Sequence, residues 1–313
     1  MTIKIVTDTG SDMPPEWLAA YDIHLVPLVL RFGDREVEDN ETTRAELWQR
    51  VEAGLPCETS GPPVGAYEAA FAPLIAAGHQ VLCITLPAVH SVTYNSAWVA
   101  AQSFPGQVEV VDGRSLSLGY GLQAREAAQL AEAGADLTTI AAALRDMQRH
   151  ITIRFFLESL DQVKRGGRLN ALVPVMSKLG QTLNIRAILT VNDEGRISMV
   201  GPARGRKGAI KRLAQDLIET APVETAIVGH SRSPDEAGAL ADMLAEQLNL
   251  PRAEIIVFEI GAVLLAHAGN GVLAAGTVRS LPQIAAKTGG RRILTLVYDQ
   301  SLKAMRAVER VVY

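Results

Sequence analysis

Apolar and polar residues alternate in blocks along this chain, and the block lengths switch between those of buried strands and those of amphipathic helices. Ile3 to Val6 reads as a short buried strand, and Ser11 or Asp12 ahead of Pro14 reads as a helix cap with proline in the first turn. Leu25 to Phe32, Gly33-Asp34 and Arg35 to Val37 have the form of a hairpin, after which Thr43 and Glu46 stand at capping-box spacing and Gly54 can close that helix. Helical stretches at 63–77, 91–103 and 117–134 are separated by strand-like Gln80 to Thr85 and Val108 to Val111. Such alternation predicts a parallel sheet covered by helices, with ligand groups at the carboxyl ends of its strands.

The pattern changes after a helix at 138–149. Leu157 to Val163 forms a short amphipathic segment closed by Lys164-Arg165-Gly166-Gly167-Arg168. Ile185 to Val191, the turn Asn192 to Gly195 and Arg196 to Val200 then predict a hairpin, so antiparallel pairing enters the second half. Thr225 to Val228 and Glu254 to Phe258 flank a helix at 235–249, and Arg292 to Tyr298 has the makings of an edge strand before a terminal helix. The expected architecture is α/β in two domains. Residues 1–156 form a parallel-sheet domain, and 157–313 form a mixed or antiparallel α/β domain with an extension at 277–313.

Composition narrows the function. Of 313 residues, 48% are hydrophobic and 20% charged, which excludes a disordered chain. A formal net charge of −4 argues against general nucleic-acid binding, which draws on an excess of lysine and arginine. The two cysteines, Cys57 and Cys83, form no CxxC pair, so neither a disulfide framework nor a thiolate zinc site is indicated, and no metal is assigned. The amino terminus reaches Asp8 too early for a signal-peptide core, and no apolar stretch approaches the roughly 18 residues of a membrane helix. A cytoplasmic protein is expected.

One segment carries most of the chemical signal. Ile255 to Phe258 is wholly apolar, the run resumes at Ala262 to Ala266, and it ends in His267-Ala268-Gly269-Asn270-Gly271. An apolar wall tipped by one imidazole and a glycine turn suits an oily ligand with a polar end, the glycines of the binding loop, Gly269 and Gly271, allowing close backbone approach. A hydrogen-bonded core histidine is the competing reading. Asp8 and Asp112 follow strands and are read as turn and capping residues. No serine lies in a GxSxG elbow, so a hydrolase triad has no support.

Several separated strings resemble the DegV family of bacterial fatty-acid-binding proteins. They are Ile5 to Asp12 (IVTDTGSD), Thr59-Ser60-Gly61-Pro62-Pro63, Thr93 to Ala97 (TYNSA), Val111 to Ser117 (VDGRSLS), Lys164 to Arg168 with Arg204-Gly205-Arg206-Lys207, and His267 to Gly271. The resemblance implies a two-domain protein holding a long-chain fatty acid between its domains. It also implies a kinase partner that phosphorylates the bound acyl group. The chain departs from the family at Leu86 to Val92, where a Ser-Ser pair and a Ser-Gly step are usual and only Ser91 keeps its hydroxyl, with His90 beside it, and at Ala268 and Asn270, which replace the more usual threonine and proline.

A carboxylate withdrawn from water needs donors, and Thr59, Ser60, Ser91 and His267 form the expected head-group set. Helix capping is the alternative for Thr59 and Ser60, before Pro62, and for Ser91, a role compatible with anion binding at a helix terminus. Arg168, with Arg204 and Arg206, is expected to face a partner or a phosphate, against the plainer reading of solvated surface charge. The resulting expectation is a fatty-acid carrier with no cofactor and no catalysis of its own, presenting the carboxylate to a fatty-acid kinase, with transient membrane contact compatible with that role. The alternatives are a phosphotransferase, or its substrate-binding subunit, acting on a small polar metabolite, and last an RNA or regulatory binding module.

Overall fold

The computed structural model describes residues 2–55, 57–158 and 184–280. The expected strand at 292–298, the helix after it, Arg168 and most of the 157–163 segment lie outside these residues. The chain begins with β1 (Ile3–Asp8), a 3-10 turn (Thr9–Ser11), α1 (Pro15–Ala20) and β2 (His24–Val26), followed by β3 (Val29–Phe32), β4 (Arg35–Glu38), α2 (Glu41–Glu52) and β5 (Glu58–Ser60). It continues through α3 (Val64–Ala76), β6 (Gln80–Thr85), α4 (Thr93–Ala101), β7 (Val108–Asp112), α5 (Leu118–Glu132) and α6 (Leu137–Met147). The strands β8 (Ile151–Phe156), β9 (Ile185–Val191) and β10 (Ile197–Arg204) lead to α7 (Gly205–Ile218) and β11 (Val223–His230). The elements α8 (Pro234–Leu248), β12 (Ile256–Glu259), α9 (Ala262–Ala268) and β13 (Leu273–Arg279) complete the description.

The architecture is mixed α/β, as expected. In the first half, β2-β1-β6-β7 form a parallel sheet, whose strands are nearly continuous apolar runs because helices cover both faces. The second sheet has the order β10-β9-β8-β13-β11-β12; only β11 and β12 run parallel, the other neighbours being antiparallel. A small antiparallel sheet, β4-β3-β5, flanks the first.

The strand β8, which precedes the expected division at 156/157, pairs with β13 and β9 of the second sheet. Several local expectations are corrected. The Leu25 to Phe32 arm divides: His24–Val26 joins the parallel sheet, and Val29–Phe32 alone forms the hairpin with Arg35–Glu38. Helix α2 starts earlier than Thr43, because Asn40 accepts from the amides of Thr42 and Thr43 while the Thr43 hydroxyl answers the Asn40 amide. Neither Ser11 nor Asp12 caps α1; Pro14 occupies that position, and Asp12, at φ 51°, turns its side chain elsewhere.

The largest core joins the two sheets. Ile5, Leu82, Ile84, Leu118 and Tyr120 from the first half meet Ile153, Phe155, Leu189 and Ile227 from the second. On the far face of the second sheet, Phe156, Ile188 and Val228 pack against Leu213 and Leu217 of α7 and Leu240 and Leu244 of α8. Each such fully buried side chain contributes about 1.5–3 kcal/mol. A third cluster seats α9, through Ala262, Leu265 and Ala266, against Leu28, Leu30, Leu47 and Trp48.

Candidate functional site

The apolar run before His267 is a helix, not an extension of the β12 strand, and that decides what it lines. Val263, Leu264, His267 and Ala268 share one face of α9 and border a cavity of about 780 Å³, part of it open to solvent. The helix thus divides its contacts, with Leu265 and Ala266 in the third core and His267 at its last turn facing the cavity. Thr59 reaches the same cavity from β5. Glu58 and Ser60 are exposed while Thr59 is half-buried, as strand alternation requires, and Leu30 of β3 fixes its register. The Thr59 Oγ1 and His267 Nε2 atoms are 2.6 Å apart.

Ser91 comes from the turn after β6. Its hydroxyl lies 2.6 Å from the Thr93 hydroxyl and accepts from the Thr93 amide at 3.2 Å while bordering the cavity; the N-cap position of α4 itself is held by Val92. Ser60 and His90 complete the polar end, and Leu86, Leu116, Phe155 and Leu157 supply apolar wall. The structure therefore brings Thr59, Ser60, Ser91 and His267, from three separate places in the sequence, to the border of one cavity. The helix-cap reading of Thr59 and Ser60 does not hold, since both lie in β5 and Pro63 precedes α3.

A second cavity, of about 530 Å³, continues from the first and shares Leu116, Phe155, Leu264 and Ala268 with it. Its walls are Ile153, Ile227, Phe258, Ile260 and Val272, from the sheet face of the second half and the approach to α9. Together the two form an apolar channel, with the imidazoles and the Thr59, Ser60 and Ser91 hydroxyls on the first cavity and Ser117 on the second. Phe258 belongs to the apolar run already singled out, whereas Phe155 and Ile227 had no local signal marking them as channel residues. His90 stood in the stretch noted as altered, which was the one available hint.

Buried carboxyls hold this end in place. Asp8, fully buried at the end of β1, accepts from the Tyr120 hydroxyl at 2.6 Å, the Gly10 amide at 3.0 Å and the Leu86 amide at 2.8 Å. Loss of solvent pushes its pKa up to about 6 against those hydrogen bonds. Asp12 accepts from the Gly261 amide, at the start of α9, at 3.0 Å and also from the Ser117 hydroxyl; burial raises it to about 7. Asp112 accepts from the Arg114 amide at 3.1 Å, the turn role expected of it, and burial raises its pKa too.

The remaining expected site residues fall elsewhere. Gly269, at φ 76°, ends α9, and its carbonyl accepts from the Ser231 hydroxyl at 3.0 Å. Gly271, at φ 78°, presses on Glu158, where an added Cβ would stand 2.8 Å from the Glu158 Cβ. Both shape the turn, and neither is among the residues bordering the two cavities. The Arg206 guanidinium is engaged within the chain: it donates to Glu236, Glu158, Ser233 and the Gly271 carbonyl, and lies 5.2 Å over the Phe156 ring. Arg204 is exposed at the start of α7. Among the described residues no group of three or more His, Cys, Asp or Glu could hold a metal ion.

The model of the DegV family, described as an uncharacterised protein family, matches residues 2–280. The chain belongs to the DegV family. Relatives include DegV domain-containing proteins of Streptomyces coelicolor, 32% identical over 276 residues covering 87% of this chain and 96% of the other, and of Clostridium perfringens, 30% identical over 281 residues with 86% and 95% covered. Among solved structures, a Thermus thermophilus DegV family protein described by its fatty-acid binding superposes with a TM-score of 0.82 at 31% identity, covering 90% of this chain and 100% of that one. A Thermotoga maritima protein described as revealing fatty-acid binding function superposes at 0.77 and 27%, with 89% and 99% covered. This DegV chain thus shares its fold with proteins known to bind fatty acids.

Proposed function

We propose that this chain is a fatty-acid carrier. It holds a long-chain fatty acid with the tail in the apolar channel and the carboxylate among Thr59, Ser60, Ser91 and His267, and it presents that carboxylate to a fatty-acid kinase in the cytoplasm without catalysis of its own. The observation that carries this reading is the pair of largely apolar cavities that share four wall residues, the first bordered by Thr59, Ser60, His90, Ser91 and His267. A small polar metabolite would leave most of that wall without a partner. Fatty-acid binding by the Thermus and Thermotoga relatives supports the same reading.

Tail burial supplies the driving force, roughly 0.8 kcal/mol per methylene and on the order of 10 kcal/mol gross before ordering costs. The hydroxyls and imidazole orient the acid and satisfy its charge. Ser60 is both exposed and on the cavity wall, so the head-group end meets the surface where a kinase could reach it. Val89 and Val92, 38% and 58% exposed beside Ser91, give that opening an apolar rim suited to brief membrane contact during loading. No described helix is long and apolar enough to cross a membrane. Exposed Arg204, and Arg168 beyond the described residues, remain the proposed partner-facing cations.

Organic extraction of gently purified protein followed by mass spectrometry tests the reading, with lipid-free protein then titrated with added fatty acid. A long-chain acid is expected in wild type, reduced in H267A and retained in H79A, whose imidazole contacts Thr2 instead. Absence of bound lipid together with failure to take up added acid overturns it.

A further inference from the structure

The polar end of the channel carries a second imidazole. The carbonyl of Pro87 accepts the amide protons of both His90, at 3.0 Å, and Ser91, at 3.2 Å. This tight turn puts His90 and Ser91 together on the wall that also bears Ser60 and His267. It is held from behind at two points. Asp8 accepts from the Leu86 amide at 2.8 Å, and Asp112 accepts from the Ala88 amide and interacts with the charge of His90. The imidazole of His90 therefore sits on a braced turn.

Among the described residues, those bordering the head-group cavity include hydroxyls and two histidines but neither lysine nor arginine. A carboxylate entering it leaves water, and neutral hydroxyls compensate its charge only in part. His267 already has Nε2 engaged with Thr59. We propose that His90 is a second head-group ligand, so that the carboxylate is held by imidazoles from two separate elements and its binding is coupled to proton uptake. This rests on the fatty-acid reading above and adds to it a residue and a proton linkage.

The sign follows from the charges. Imidazole changes charge between pH 5 and 8, and a bound carboxylate favours the imidazolium, so affinity rises as pH falls toward 6. Asp112 at the end of β7 favours the imidazolium at His90, whereas Arg114, just after it, and a charged His267 on α9 oppose it. Asp8, behind Leu86, favours it when ionised.

The test uses the full chain stripped of lipid and isotopically labelled palmitate as probe. Dissociation constants are measured at pH 6, 7 and 8 for wild type, H90Q and H90A, with thermal melts confirming that each variant is folded. Wild-type affinity is expected to rise on acidification, and H90A to bind about tenfold more weakly at pH 6, the effect of one charge-assisted hydrogen bond. H90Q, which keeps a neutral donor, stays within a few-fold of wild type at pH 8 but has a shallower pH profile. Wild-type affinity and slope in both folded variants would overturn the role of His90 while leaving the carrier reading standing. A wild-type protein that binds no palmitate at any pH would overturn both.

Discussion

Asp12 should be replaced by asparagine. Its carboxyl, on a half-buried residue, is bonded to the Gly261 amide and the Ser117 hydroxyl, with its pKa raised from 3.8 to about 7 by desolvation. The folded state therefore holds a proton over a range in which the unfolded chain has released it. Stability from this group is complete below pH 3.8 and is lost as pH rises through about 7, the opposite of an ordinary ion-paired aspartate. At 1.36 kcal/mol per pH unit, the cost of ionising it is about 4 kcal/mol in full, of which about 3 kcal/mol falls between pH 5 and pH 8. Asp8, raised to about 6, acts in the same direction over a narrower range. Urea unfolding of wild type and D12N at the two pH values measures the difference. The fall in stability between pH 5 and pH 8 should be smaller in D12N by about 3 kcal/mol, and D12N should be no less stable than wild type at pH 8. Because the amide oxygen can still accept from Gly261, α9 stays seated and ligand occupancy should persist. An unchanged pH dependence in D12N, with m-values equal to wild type, would refute the argument.

Two further substitutions separate structural from ligand-directed residues. R206A removes the donors to Glu158, Glu236 and the Gly271 carbonyl as well as the packing on Phe156; because both carboxylates are 38–39% exposed and solvent-screened, the expected loss is about 2 kcal/mol in chemical denaturation. Fatty-acid affinity should stay within about twofold, since no charge-assisted contact to the ligand is removed; normal stability with impaired kinase-dependent turnover would return Arg206 to a docking role. G229V places its first added carbon 2.8 Å from the Phe258 Cζ and 3.3 Å from the Ile260 Cγ2, crowding the tail end of the channel at an overpacking cost of about 1–3 kcal/mol. Competition between C12 and C18 acids should shift toward the shorter one, and an unchanged preference would show that the tail does not reach Gly229.

Local pattern alone determined the strands whose apolar runs are bounded by turn residues. Gln80 to Thr85 and Ile185 to Val191 coincide with β6 and β9, and helices α3, α5, α6 and α8 lie where their periodicity puts them. It also singled out His267 and the Thr59, Ser60 and Ser91 hydroxyls, because the family strings and a polar tip on an apolar run are visible in one dimension. The run from Ala262 to Ala266 was different: with every position apolar, neither a two-residue nor a 3.6-residue period can be read from it. Packing against Leu28, Leu47 and Trp48 accompanies its helical form and leaves Leu264 and His267 on the channel side. Likewise the spacing around Thr59 fitted a helix cap until pairing with β3 made it a strand residue. The ion pairs of Arg206 were not legible, because its carboxylate partners lie 30 and 48 positions away along the chain. The sheet to which Ile151–Phe156 belongs was equally hidden, for its partner β13 begins only at Leu273. Local propensity is set within a few residues of the chain, whereas a channel wall, an ion pair and a strand's neighbours are set by contacts across it, and those only the tertiary structure could decide.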